Sequence, residues 1–440
     1  MYSNKQIWHV SYPILLSLLA QNVINVTDTA FLGRVGEVEL GAAAMGGLFY
    51  ICAYTLAFGF STGSQIVMAR RNGEKQYTEV GPVMIQGIAF LLLLAAFMFT
   101  LSRLFAGDIL NLLISSDPVR NATIEFLDWR VFGFFFSFVN VMYRALYVGI
   151  TRTKVLTLNA VLMAVTNVIL DYILIFGHFG FPAMGIKGAA IASVIAEAVS
   201  IVFFVIYTRF TVNKLKYGLN RFTSFDLSLL KRVLGISVFT MMQYFLSMGS
   251  WFMFFVVVER IGTRDLAIAN IVRSVYIVMV IPVSSLSTTA NTFVSNAIGA
   301  GNSGDVMKII NKIARLSLYI MAVFVFFVVL FPKTILSVYT NDPQLIADAV
   351  SSIYVISAAM LISSVGSIYF SGVTGTGNTR SALLMEVVTL VFYGFYIYVI
   401  GIQLNLPVEV CFTTELVYYI GLFAFSVIYL KKGSWQHKKI

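Results

Sequence analysis

Apolar runs recur along the whole chain, separated by short polar breaks. The stretches Gly87 to Thr100, Leu316 to Phe331 and Val387 to Ile402 are examples, each extending into flanking apolar residues. A helix that crosses the hydrocarbon core needs about 20 mostly apolar residues, and a windowed reading of this pattern predicts about twelve such helices. The one long polar connection, "RFTVNKLKYGLNRFTSFDLSLLKR" from Arg209 to Arg232, divides them into six before and six after. The expected domains are a six-helix lobe over residues 1–222 and a second over 223–440. The expected fold is an all-α polytopic membrane protein, its two six-helix bundles related by a pseudo-twofold axis.

An internal repeat supports this division. Shifting the sequence by 226 positions lays Ser11 on Ser237, Arg34-Val35-Gly36 on Arg260-Ile261-Gly262 and Leu40 on Leu266. It also pairs Ser61-Thr62 with Ser287-Thr288, Gly73 with Gly299, Gly149 with Gly375, and Thr153-Lys154 with Thr379-Arg380. Six crossings is an even number, so the halves run parallel, with their axis along the membrane normal. The repeat breaks at two acids: Asp28 falls on Phe254 and Asp171 on Ile397. Whatever these aspartates do belongs to the first half.

Composition agrees with the pattern, since 59% of the 440 residues are hydrophobic and 11% charged, well outside the soluble globular range. The net charge of +10 does not point to nucleic acid, because lysines and arginines gather in alternate connections. They are Arg70, Arg71 and Lys75; Arg152 and Lys154; Arg209 to Arg232; Lys308, Lys312 and Arg315; Arg380; and Lys431, Lys432, Lys438 and Lys439. By the positive-inside bias those connections and both termini are cytoplasmic. The amino-terminal segment runs straight into the first span without a cleavage pattern, so that span is expected to stay in the mature protein. Cys52 and Cys411 lie in apolar spans and His9, His178 and His437 are scattered, suggesting neither a disulfide framework nor a metal site. No nucleophile and base pattern points to an enzyme, and no cofactor is expected.

Candidate chemistry lies on two helix faces. Ser17, Gln21, Asn25 and Asp28 are three or four residues apart, so they share a face of the first helix, and Pro13 is placed to bend or loosen it. In "LNAVLMAVTNVILDYILIFG", Asn159, Asn167 and Asp171 form a second face. A charged side chain at the bilayer centre costs roughly 2.5–3.5 kcal/mol on insertion scales, and such residues usually face a cavity or an ion path. Two acids, each beside an asparagine, can hold a proton or exchange it for a hard, oxygen-preferring cation such as Na⁺. Gln21, Asn25, Asn140 and Asn159 are the candidate cavity-lining residues. Glu386 and Arg273 are a candidate second polar site or internal salt bridge, with Glu415 nearby in the apolar pattern. Arg130 and Arg144 are expected near helix ends. "GVTGTGNTR" lacks the order of a phosphate loop and follows no strand, so it reads as a helix connection.

Over essentially its full length the chain resembles the multidrug and toxic compound extrusion (MATE) transporters. The resemblance is carried by Pro13 followed by "VTDTAFLGRVGEVELGAAA", by "STGSQIVMARRNGEK", "YVGITRTK", "NVILDYILIFG" and "GIKGAAIASVIAE", and in the second half by "ANTFVSNAIGAGN" and "GVTGTGNTR". It implies a monomeric exporter working by alternating access, which extrudes organic cations or drugs in exchange for H⁺ or Na⁺. It further implies a coupling site of Asp28, Asn167, Asp171, the Ser193 hydroxyl and the Ala189 carbonyl. Gln21 and Pro13 look like those of the DNA-damage-inducible (DinF-type) branch. A branch similar to the norfloxacin exporters uses acids in the seventh and tenth helices, where this chain has Ser247, Gly249, Ser250 and Ser363 and where Glu386 does not match. The alternative is a lipid-linked-precursor flippase of the same superfamily, which would want a basic cavity; the first-half spans carry acids instead. The expected setting is a bacterial inner membrane.

Overall fold

The computed structural model describes residues 2–220, 226–433, 435 and 436. The expected lobe boundary at 222/223, together with Arg221, His437, Lys438 and Lys439, lies outside the described residues.

Residue contacts divide the chain into two compact units, Tyr12–Met241 and Met1–Ser11 with Met242–Ile440. The divisions fall inside helices rather than in the polar connection, so residues 1–11 group with the second half and the start of the eighth long helix with the first. The first unit holds α1 (Asn4–Val35, from Tyr12 onward), α2 (Glu37–Gly73), α3 (Val80–Leu113), α4 (Asp117–Arg130), α5 (Gly133–Gly149), α6 (Lys154–Phe176) and α7 (Gly185–Thr211). The second holds most of α8 (Leu227–Ile261), then α9 (Thr263–Gly299), α10 (Val306–Leu330), the short α11 (Pro332–Leu336), α12 (Pro343–Gly375), α13 (Thr379–Ile397), α14 (Val408–Cys411) and α15 (Thr413–Lys432). Among the described residues eleven helical segments are long and apolar enough to cross a membrane, and the pair α4 and α5, bent by 55°, brings the number to twelve if it counts as one span. This is the all-α polytopic membrane fold that the apolar runs predict, and it contains no strand among the described residues.

The repeat is written into the helix ends. α2 and α9 start 226 residues apart and end 226 residues apart, as do the single-turn helices Tyr77–Glu79 and Ser303–Asp305 and the starts of α3 and α10. Gly36 and Gly262, paired by the same shift, both join two helices in extended backbone, φ 171° and 170°. Local chemistry explains several ends. α2 carries Glu37 and Glu39 in its first turn and Arg70 and Arg71 in its last, each charge opposing the helix dipole. α12 starts on Asp342, whose carboxylate accepts the amides of Gln344 and Leu345, with Pro343 at the first helical position, where a missing N–H costs nothing.

The halves differ at the fourth span, which is bent between Arg130 and Gly133 in the first half but runs unbroken from Pro343 to Gly375 in the second. α7 packs on α6 at very short range. A Cβ on Gly188 would lie 2.7 Å from the Leu174 carbonyl, so only glycine lets the two backbones approach there.

Candidate functional site

α1 continues through Pro13 without a break, and the Pro13 carbonyl accepts the Thr157 hydroxyl of α6 at 3.0 Å. This bond ties the proline turn of α1 to α6, the helix that carries Asn167 and Asp171. Hydrogen-bonding surroundings assign the Asn167 amide nitrogen to the side of both acids, 3.0 Å from Asp28 Oδ1 and 3.2 Å from Asp171 Oδ2. Asn167 and Asp171 are fully buried, at 1% and 0% exposure, while Asp28 is half-buried. Asp171 Oδ1 has no hydrogen-bond partner among the described residues. The other amide atom of Asn167 lies 3.5 Å from the Ser193 hydroxyl of α7. Ala189 lies one turn before Ser193 on α7 and is buried. Two carboxyl groups bridged by one amide, with a free buried oxygen beside them, make a site that can hold a proton or a small cation.

Ser193 is the first of three polar positions on α7 at steps of four and three, followed by Glu197 and Ser200. Glu197 takes a bidentate ion pair from Arg130, with Nη2 to Oε1 at 2.7 Å and Nη1 to Oε2 at 3.1 Å. The pair is mostly covered, with side chains 13% and 14% exposed. The Tyr50 hydroxyl lies 3.2 Å from both Glu197 oxygens and 2.8 Å from Ser137, and the Arg130 guanidinium lies 3.6 Å from the centre of the Tyr50 ring. Asn140 donates to the Glu197 carbonyl at 3.0 Å, and the Ser200 hydroxyl lies 2.9 Å from Oδ1 of both Asn140 and Asn159. α7 therefore carries a continuous polar row that joins the acid pair to a buried ion pair and then to two asparagines.

Asn140 and Asn159 are brought together, but Gln21 and Asn25 lie exposed on α1, and no described hydrogen bond joins the two pairs. Arg130 does sit at a helix end, as its position predicts, yet that end is the internal bend between α4 and α5, and its partner is an acid. Glu197 is the residue that reading by motif passed over. The signal was present, because an acid within "IASVIAEAVS" at helical spacing from Ser193 and Ser200 is the pattern that singles out Asp28.

In the second unit Glu386 accepts the hydroxyls of Ser247 and Tyr418, both at 2.6 Å. It makes no ion pair with Arg273 among the described residues; that guanidinium lies 5.0 Å from the centre of the Phe255 ring. The salt bridge offered for these two residues is therefore not formed. Glu386 Oε1 is instead taken by the hydroxyls of α8 and α15, while Arg273 stands over Phe255.

The MatE family pattern matches residues 13–173 and again residues 240–408. The chain belongs to the MATE family. Its members are transporters, not enzymes, and the second match starts 227 residues after the first, one position from the repeat shift. The chain is 29% identical over 302 residues to a probable multidrug resistance protein NorM of Agrobacterium fabrum, covering 67% of this chain and 64% of that protein. It is 23% identical over 389 residues to a probable multidrug resistance protein NorM of Thermotoga maritima, covering 88% and 83%. Its fold is similar to the outward-facing conformation of a multidrug resistance MATE family transporter of the MOP superfamily, with a TM-score of 0.88 and 17% identity over 99% of this chain and 97% of that one. The chain is thus an integral membrane protein of a multidrug transporter family.

Proposed function

We propose that the protein is a secondary active antiporter that exports organic cations or drugs in exchange for H⁺ or Na⁺ by alternating access, from a bacterial inner membrane with both termini cytoplasmic. The observation that carries this reading is the Asn167 amide set between Asp28 and Asp171, 3.0 and 3.2 Å away. With the ion bound, the two carboxyl groups are compatible with each other and with the amide. When the ion leaves, two neighbouring negative charges repel, and α1, which carries only Asp28, is the element free to respond. Gln21 and Pro13 look like those of the DinF-type branch, and we place the chain with that branch. A membrane potential supplies about 2.3 kcal/mol per charge per 100 mV, which any ion gradient adds to. Ala189 and Ser193 complete the proposed ion site, Asn140 and Asn159 line the path, and the working unit is a monomer without a cofactor.

The test is efflux of a fluorescent organic cation from proteoliposomes under separately imposed proton and sodium gradients. One gradient is expected to drive the wild type, and Asp28→Asn and Asp171→Asn are expected to abolish that efflux while inserting normally. Unchanged efflux in both variants would overturn the coupling assignment.

A further inference from the structure

Glu386 is an acid on α13 with 0% exposure and no cationic partner among the described residues. Its two oxygens are used very differently. Oε1 accepts two hydroxyls, Ser247 from α8 and Tyr418 from α15, whereas Oε2 is buried with no partner among the described residues. An ionised carboxylate divides its charge between both oxygens and seeks donors for each, and an unpaired buried charge is among the costliest features a fold can carry. A carboxylic acid has one acceptor oxygen and one hydroxyl. The division of contacts at Glu386, two donors on one oxygen and none on the other, suits the acid better than the anion.

A second acid, Glu415, lies three residues before Tyr418 on the same face of α15. It is 5% exposed and takes the Tyr393 hydroxyl of α13 at 3.2 Å. Each carboxyl group thus takes one tyrosine hydroxyl, and Tyr276 of α9 meets the Tyr419 hydroxyl at 2.5 Å. Of the other groups packed against these helices, Ser363 of α12 is a neutral hydroxyl and Cys411 of α14 a buried thiol. Arg273 of α9 rests over Phe255. None of them supplies a paired positive charge. Gln243, one turn before Ser247 on α8, has a buried side-chain oxygen without a partner among the described residues.

We propose that Glu386, with Ser247 and Tyr418 as its hydrogen-bonding partners and Glu415 one turn away on α15, is a second proton-binding site, in the carboxy-terminal unit and separate from the Asp28 pair. In the loaded state the proton stays on Oε2. On release, the Oε2–H bond breaks, the electron pair remains on the carboxylate and the proton passes to water. The Ser247 and Tyr418 hydroxyls are already aimed to stabilise the charge left behind. The repeat supports a role particular to this unit, since the positions 226 residues before Glu386 and Glu415 are Ala160 and Ala189. Nothing in the fold common to the halves requires an acid at either place.

The experiment is infrared difference spectroscopy of the full-length protein in lipid vesicles, acid minus alkaline, reading the carbonyl stretch of protonated carboxyl groups. Glu386→Gln is expected to remove one component that Asp28→Asn leaves in place. Tyr418→Phe and Ser247→Ala should shift that component without abolishing it, because they remove hydrogen bonds and not the acid. If Glu386→Gln inserts poorly, Glu386→Asp serves instead and should keep a displaced component. A spectrum unchanged by Glu386→Gln, or a component indifferent to both hydroxyl variants, overturns the proposal. Loss of a component in Asp28→Asn alone would leave the reading of the amino-terminal site intact while this one fails.

Discussion

An asparagine amide nitrogen carries two hydrogens, and at Asn167 each has a carboxyl oxygen to go to, on Asp28 and on Asp171. Removing the amide leaves both acids in place but unbridged, so Asn167→Ala separates bridging from charge. Partners that orient a ligand-binding group typically matter by about 10- to 100-fold. Gradient-driven efflux in Asn167→Ala is expected to fall by that order, as initial rates from proteoliposomes would show, while Asn167→Asp, which adds a third acid and removes the donor, should be dead. This part of the site was legible from the chain, because Asn167 and Asp171 are four apart on one helix and both break an apolar run. Its extension was not. Arg130 and Glu197 lie 67 residues apart and Ser247 and Glu386 lie 139 apart, so neither pair leaves any trace in local spacing. The sequence shows that Glu386 is buried-type chemistry in an apolar helix, but not that its partners are hydroxyls.

At the scale of elements, the bend between α4 and α5 has a chemical cause. Arg130 closes α4 and pairs with Glu197, and Gly133 opens α5 beneath the pair, where a Cβ would lie 2.5 Å from Glu197 Oε2 and 2.9 Å from the Tyr50 hydroxyl. The repeat keeps the tyrosine and serine of this group as Tyr276 and Ser363 but has Ile356, Phe423 and Ala359 for Arg130, Glu197 and Gly133, and there α12 is unbroken. Overpacking costs about 1–3 kcal/mol and breaking a buried pair about 3–5 kcal/mol. Gly133→Ala and Glu197→Ala are therefore expected to destabilise in that order in denaturant unfolding, and Arg130→Ala should cost less in the Glu197→Ala background than alone. The start of α8 offers a pH-dependent case. Asp226 accepts the Ser228 hydroxyl at 2.6 Å and the amides of Ser228 and Leu229 at 2.8 and 3.3 Å, and these bonds, the hydroxyl first, hold its carboxyl below the usual range. The sign follows from that depression: the cap contributes above the ordinary carboxylate range and is lost as pH falls through the lowered folded-state value. Hydrogen exchange in the first turn of α8 should be faster in Asp226→Ala than in wild type at neutral pH, and the difference should vanish in acid.

For the whole molecule the open choice is how often the chain crosses. Among the described residues eleven segments qualify alone, and the bent pair makes twelve if it crosses once. If α4 and α5 together cross once, the basic connections at Lys75, Arg152, Asn302 and Gly377 all share a face with the termini, and those at Ser116, Phe179, Thr340 and Asn405 share the other. If the bent pair enters and leaves on one side, every connection after Phe132 changes face, and Arg70, Arg71 and Lys75 then oppose Lys308, Lys312 and Arg315. The matching charge at positions related by the 226-residue shift favours a single crossing, since the positive-inside bias acts on both halves alike. Cys52 and Cys411 can be replaced first, the one exposed and the other buried. Single cysteines at Lys75, Arg152 and Asn302 are then expected to react with an impermeant maleimide only after the cytoplasmic face is opened, and those at Ser116, Phe179 and Thr340 in intact cells. Reaction at Lys75 and Arg152 from opposite faces would show that the bent pair turns back, and that the kink at Arg130 lies in a re-entrant segment instead of midway along a span.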